Sequence, residues 1–179
     1  MDSARQLGEM LGKHGLTLVF GGGSVGLMGA LFEGAQSAGA RTVGITTRQF
    51  VELEQVHPDC DEMVVMESLA ERKQALIEHG DAIIVMPGGL GTYEEFFDAF
   101  VGRVLGHHAK PVSLVNVKGA LSTLVQLIEE GIKNKFISGG VKQYLLVNDT
   151  PEESLKAIMT HKGHTVDPSL MVPSGDWDK

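Results

Sequence analysis

Short aliphatic and β-branched runs alternate along this chain with amphipathic stretches of helical length, and this alternation constrains the fold more than any other feature. Strands separated by helices need crossover connections, which build βαβ units and a parallel sheet. Residues 16–20, 41–45, 63–66, 82–86, 111–116 and 144–147 read as strands. Helices are expected over 5–13, 27–38, 69–79, 93–105, 119–133 and 152–161. The pattern predicts an α/β fold, a doubly wound parallel sheet in a three-layer sandwich. One nucleotide-binding domain is expected over 1–162. The polar stretch 163–179, with Pro168 and Pro173, is expected to form a loose tail.

The chain has 179 residues and is 42% hydrophobic, enough for one sizeable core. A net charge of −8 offers no basic stripe for a nucleic-acid backbone, so no nucleic-acid partner is expected. Cys60 is the only cysteine, which excludes an intrachain disulfide framework and fits a reducing compartment. No apolar run approaches bilayer length and the first residues lack a signal-peptide layout, so a cytoplasmic protein without a membrane partner is expected.

In such sheets ligands bind beyond the carboxyl ends of the strands. Two glycine loops fall there. The first is Gly21-Gly22-Gly23-Ser24-Val25-Gly26-Leu27-Met28-Gly29, where absent Cβ atoms let backbone N–H groups approach an anion at a helix start. It contains G-x-G-x-x-G, but the next strand ends Ile45-Thr46-Thr47 without the acid that would hold the ribose of NAD. Glycines serving only tight strand-to-helix packing are the competing reading. A triphosphate P-loop is excluded, because no G-K-[S/T] follows either loop.

The second loop, Pro87-Gly88-Gly89-Leu90-Gly91-Thr92, runs into Tyr93-Glu94-Glu95. Glu95 falls about one turn into the following helix, near any phosphate held by the loop. Thr92-Tyr93-Glu94-Glu95 also has the form of a capping box, which would give Glu95 a structural role. Ser68-Leu69-Ala70-Glu71 has the same form, and there capping is the better reading. Arg72 and Lys73 could be ordinary solvated residues, yet they lie early in a helix that starts at the ligand edge, within reach of a phosphate or sugar hydroxyl. The histidines, His107 and His108 included, lack metal-site spacing and read as surface residues; no metal and no cofactor are implied.

Together the first glycine loop, Glu71-Arg72-Lys73 and Pro87-Gly88-Gly89-Leu90-Gly91-Thr92-Tyr93-Glu94-Glu95 closely resemble the LOG (Lonely Guy) family of phosphoribohydrolases, whose hallmark is P-G-G-x-G-T-x-x-E with an upstream R-K pair. The resemblance extends through Lys110-Pro111-Val112 to the helix before Phe136 and implies a Rossmann-like fold. It further implies hydrolysis of the N-glycosidic bond of nucleoside 5′-monophosphates, a cytokinin riboside monophosphate or AMP, to free base and ribose 5-phosphate. Arg72 and Glu95 are the catalytic residues it implies. Gly22, Gly23, Glu54, Lys73, Gly88, Gly89, Gly91, Thr92 and Glu94 are the substrate-binding residues it implies, and it points to a homodimer.

The chain departs from the family pattern in several places. Family members usually begin with one more strand, ending in a small-residue loop, ahead of the first helix expected here. The W-x-Q-L-G stretch stands here as Gly102-Arg103-Val104-Leu105-Gly106, Leu69 occupies a position where methionine is common, and Thr47 replaces a frequent proline. The alternative function is a non-catalytic carrier of the same fold, holding a nucleotide or molybdenum cofactor on the same loops.

Overall fold

The computed structural model describes residues 1–53 and 56–162; Glu54 and the stretch from Gly163 lie outside the described residues. The chain divides into two compact units, Met1–Asp81 and Ala82–Lys179.

The first unit contains α1 (Asp2–Lys13), β1 (Leu18–Phe20), α2 (Gly26–Ser37), β2 (Thr42–Thr47), α3 (Arg48–Glu52), β3 (Glu62–Met66) and α4 (Leu69–His79). Its strands pair in parallel in the order β1-β2-β3, with Phe20 opposite Gly44 and Ile45 opposite Val64. Alternation along the strands sorts the two faces. Val19, Val43 and Ile45 pack with Ala75 of α4. Phe20 points the other way and meets Phe32 of α2, their ring centroids 5.8 Å apart. β2 is buried along its whole length, as a central strand covered by helices on both faces must be.

α1 buries Ala4, Leu7, Gly8 and Leu11, a single face at helical spacing. It packs closely on α2 because Gly8 and Gly34 lack side chains: a Cβ at either would strike the other helix's backbone, at Leu31 or Arg5.

The second unit contains β4 (Ile83–Val85), α5 (Leu90–Leu105), β5 (Val112–Val115), α6 (Ser122–Lys133), β6 (Leu145–Asn148) and α7 (Pro151–Thr160), with 3₁₀ turns at Val117–Gly119 and Gly139–Tyr144. The strands again pair in parallel, in the order β4-β5-β6. Val112 and Leu114 face a core built with Phe96, Phe100 and Val104 of α5 and Leu124 and Ile128 of α6. Ser113 lies on the opposite face, its Oγ 2.7 Å from that of Ser154 on α7, and Asn148 Nδ2 donates to it at 3.0 Å. Both hydroxyls are fully buried and both are satisfied.

The α/β expectation is met in both units: every ladder is parallel and helices cover both faces. Three helix starts differ from the sequence expectation by three residues. The first helix begins at Asp2 rather than at residue 5. The helix expected from residue 93 begins at Leu90. The one expected from 119 begins at Ser122, because Lys118 and Gly119 take left-handed φ values of 53° and 75° that an α-helix does not accommodate. α3 was not anticipated, since five residues are too few to show helical periodicity.

Candidate active site

In the first unit the chain leaves β1 at Phe20 and turns through the first glycine loop into α2. Several of these glycines answer to the protein itself. Gly22 has φ +75° and faces Met63 Sδ, 3.0 Å from where its Cβ would lie, and Gly26 has φ +64°. A Cβ on Gly29 would strike the carbonyl of Ser24. The loop rests on Gly44 of β2, whose own Cβ would come within 2.7 Å of Met63 Cε. Packing therefore explains Gly22 and Gly29 without reference to a ligand. Gly23 is buried and bridges to Val56 in antiparallel fashion.

Gly21 differs, because a Cβ there would meet the Nη2 atom of Arg72. Arg72 belongs to α4, which opens with a complete capping box: Ser68 Oγ accepts from Glu71 N at 3.2 Å, and Glu71 Oε2 accepts from Ser68 N at 3.0 Å. The capping role assigned to Glu71 is thus observed. Arg72 is the next residue and is 8% exposed. Its Nε donates to the carbonyl of Ile45 at 3.0 Å, and its guanidinium carbon lies 5.9 Å from the centroid of the Phe50 ring on α3. The solvated reading therefore fails for Arg72, whose guanidinium is fixed between the end of β2 and the glycine loop. Lys73 beside it is half-buried.

In the second unit α5 begins at Leu90, with Gly89 as its N-cap and no side-chain capping bond. This corrects the capping-box reading of Thr92 and Glu95. Thr92 is already the third helical residue, so its hydroxyl is not at the cap; it occupies the space that a Cβ on Gly88 would need. Glu95 is the sixth residue of the helix and half-buried, while Glu94 is exposed. No acidic residue sits in the first turn. The N-terminal N–H groups and the positive end of the helix dipole are thus not answered by a capping side chain, the arrangement that suits an anion.

Gly91 is the informative glycine of this loop. It lies in the first turn of α5, its backbone is helical, and beyond its chain neighbours and its own helix backbone no atom of the described residues comes within 4 Å of where its Cβ would be. Alanine there would favour the helix by about 1 kcal/mol, so neither packing nor conformation accounts for a glycine.

Sequence reading missed several groups. His57 does not behave as a surface histidine: its ring stacks on Phe32 at 3.6 Å and its backbone N donates to Gly22 O at 2.7 Å. His108 is half-buried; a ring nitrogen lies 2.9 Å from Ala99 O, and burial pushes its pKa down. The Thr46 and Thr47 hydroxyls, at the carboxyl end of β2, are buried and make no hydrogen bond among the described residues. Such contacts depend on tertiary placement and leave no periodic signal. Among the described residues no group of three or more His, Cys, Asp or Glu is arranged to hold a metal ion. No helix among them is long and apolar enough to cross a membrane.

The family sequence model described as "Possible lysine decarboxylase" matches residues 28–158. A cytokinin riboside 5′-monophosphate phosphoribohydrolase of Mycobacterium tuberculosis is 35% identical over 157 residues, 88% of this chain and 84% of that protein. The chain belongs to the LOG family. Among other LOG proteins, the Arabidopsis thaliana cytokinin riboside 5′-monophosphate phosphoribohydrolase LOG4 is 32% identical over 88% of this chain and 73% of its own length. The fold is also that of a molybdenum cofactor binding protein from Rippkaea orientalis, with a TM-score of 0.64 and 24% identity over 89% of this chain and 87% of that one. A molybdenum cofactor carrier protein from Chlamydomonas reinhardtii gives 0.62 and 21% over 88% and 85%. At these identities the two structures speak for the LOG fold alone.

Proposed function

We propose that this LOG-family protein is a phosphoribohydrolase that cleaves the N-glycosidic bond of a nucleoside 5′-monophosphate, a cytokinin riboside monophosphate or AMP, to free base and ribose 5-phosphate. The observation that carries the reading is Gly91 on the uncapped start of α5, a glycine left bare toward open space one turn before Glu95. An approaching phosphate explains it. The relatives named as phosphoribohydrolases support the reaction class.

On this reading the N–H groups at Gly89, Gly91 and Thr92 take the phosphate, with Gly88, Lys73 and the Gly22-Gly23 turn as further binding positions. Breaking the glycosidic bond builds positive charge on the ribose, and a carboxylate beside the sugar stabilises that charge and activates water. Glu95 takes this role; its place beyond the cap leaves the carboxylate outside any capping box. Arg72, its Nε held by Ile45 O, holds the phosphate or ribose hydroxyls, which turns binding of the non-reacting part into orientation of the reacting carbon. Glu54 and Glu94 are further substrate contacts in this proposal, which also includes a cytoplasmic homodimer.

Incubation of the purified chain with AMP and an N6-prenylated analogue, followed by chromatography for free base and ribose 5-phosphate, tests the assignment. Release is expected, is lost in Glu95→Gln with binding retained, and falls in Arg72→Ala together with binding. Saturable binding without release would instead support a carrier.

A further inference from the structure

The first glycine loop does not hold itself in place. Residues 56 and 57 cross it: Gly23 and Val56 form an isolated antiparallel bridge, and His57 N donates to Gly22 O at 2.7 Å. This crossing segment is tied to the helix that follows the loop, because the His57 ring stacks on Phe32 of α2 with centroids 3.6 Å apart and planes inclined by 30°. Asp59 N donates to His57 Nδ1 at 3.3 Å, which orients the ring from its own turn. Phe32 is fully buried, so the imidazole rests on a fixed surface.

The bond to Gly22 O has a directional consequence. The described peptides are all trans, so the N–H of the Gly22-Gly23 peptide points opposite to its carbonyl. With the carbonyl pinned on the His57 side, the Gly23 N–H is aimed away from it. Gly22 has φ +75°, a conformation glycine leaves easily, so an unpinned loop would sample other peptide orientations.

We propose that His57 is a positioning residue: by stacking on Phe32 it holds the 56–57 strap on the first glycine loop and fixes the direction of the loop N–H groups that meet the substrate phosphate. The proposal rests on the phosphoribohydrolase reading for its ligand, though not for the strap itself. His57 touches no substrate and moves no proton here. Its effect falls on binding, because a loop populating several orientations presents its donors only part of the time.

Three measurements on the full chain test this. Hydrogen exchange at the Gly22–Val25 amides is expected to be about three- to tenfold faster in His57→Ala, the range that losing one aromatic pair allows, and unchanged in His57→Phe, which keeps a ring on Phe32. KM for AMP is expected to rise by a similar factor in His57→Ala with kcat nearly unchanged, and His57→Phe is expected to restore it. The dissociation constant for AMP, by calorimetry, should follow KM. Wild-type exchange rates in His57→Ala would overturn the strap, and so would a His57→Phe variant as impaired as His57→Ala. If the wild type binds AMP without cleaving it, the phosphoribohydrolase reading falls, and exchange and AMP affinity still decide the role of His57.

Discussion

Gly21 and Gly91 are the same letter with opposite physical reasons behind them. Gly21 is bare because the Arg72 guanidinium occupies the adjacent space, so Gly21→Ala must displace a side chain held by Ile45 O. Activity is expected to drop severalfold while thermal stability changes by less than ~1 kcal/mol, since the Nη2 end of the side chain is what must shift and the rest of the core is untouched. Gly91 has open space and a helical backbone, so Gly91→Ala should stabilise the fold by up to about 1 kcal/mol while weakening AMP binding. A rise in melting temperature with unchanged affinity would remove the ligand explanation for this glycine. The sequence shows both loops and their position after strands. It does not show which glycines serve the chain and which serve a ligand, because that depends on φ and on neighbours distant in sequence. Arg72 illustrates the same point: an adjacent basic pair reads as solvated, and only the carbonyl of Ile45 and the Phe50 ring reveal a buried guanidinium.

At the level of elements, Ser68–Glu71 and Thr92–Glu95 carry the same capping-box letters, and of this pair the first alone uses them. Ser68–Glu71 closes both bonds of the box, whereas α5 starts two residues before Thr92, on the extended backbone of Gly89. A glycine three positions upstream offered the helix an earlier start, which a four-residue motif cannot show. Ser68→Ala is expected to cost about 1 kcal/mol, read as a lower midpoint in thermal unfolding, and Thr92→Ala is expected to show no comparable capping loss. The longer helices and all six strands were legible, because their apolar periodicity is sustained and each is bounded by glycine, proline or polar residues. α3 and the two 3₁₀ turns were not, being too short for the apolar spacing to repeat.

For the molecule as a whole, the parallel architecture follows directly from the strand and helix alternation, whereas the strap and the half-buried histidines required the fold. Two of its groups illustrate how stability responds to acid. Burial holds the His108 pKa below its ordinary value, with the Ala99 carbonyl opposing. The unfolded chain then takes up that proton first, so stability falls as pH drops through about 6.5 toward the lower folded value. The Asp61 carboxyl is held down by the Thr42 hydroxyl and then by its backbone N–H, so its contribution is complete above the ordinary Asp range and is lost as pH falls through the depressed folded value. Urea midpoints measured from pH 7.5 to 4 are expected to decline, and His108→Gln should flatten the upper part of that decline. The division at Asp81 bears on how the chain is made. Among the described residues, each strand of the first sheet pairs with strands made before residue 81. A ribosome adding roughly 5–20 residues per second delivers that whole unit some seconds before the second is complete. The residues of the glycine loop, its strap and Arg72 have therefore all left the peptidyl-transfer step while the carboxylate at position 95 is still untranslated.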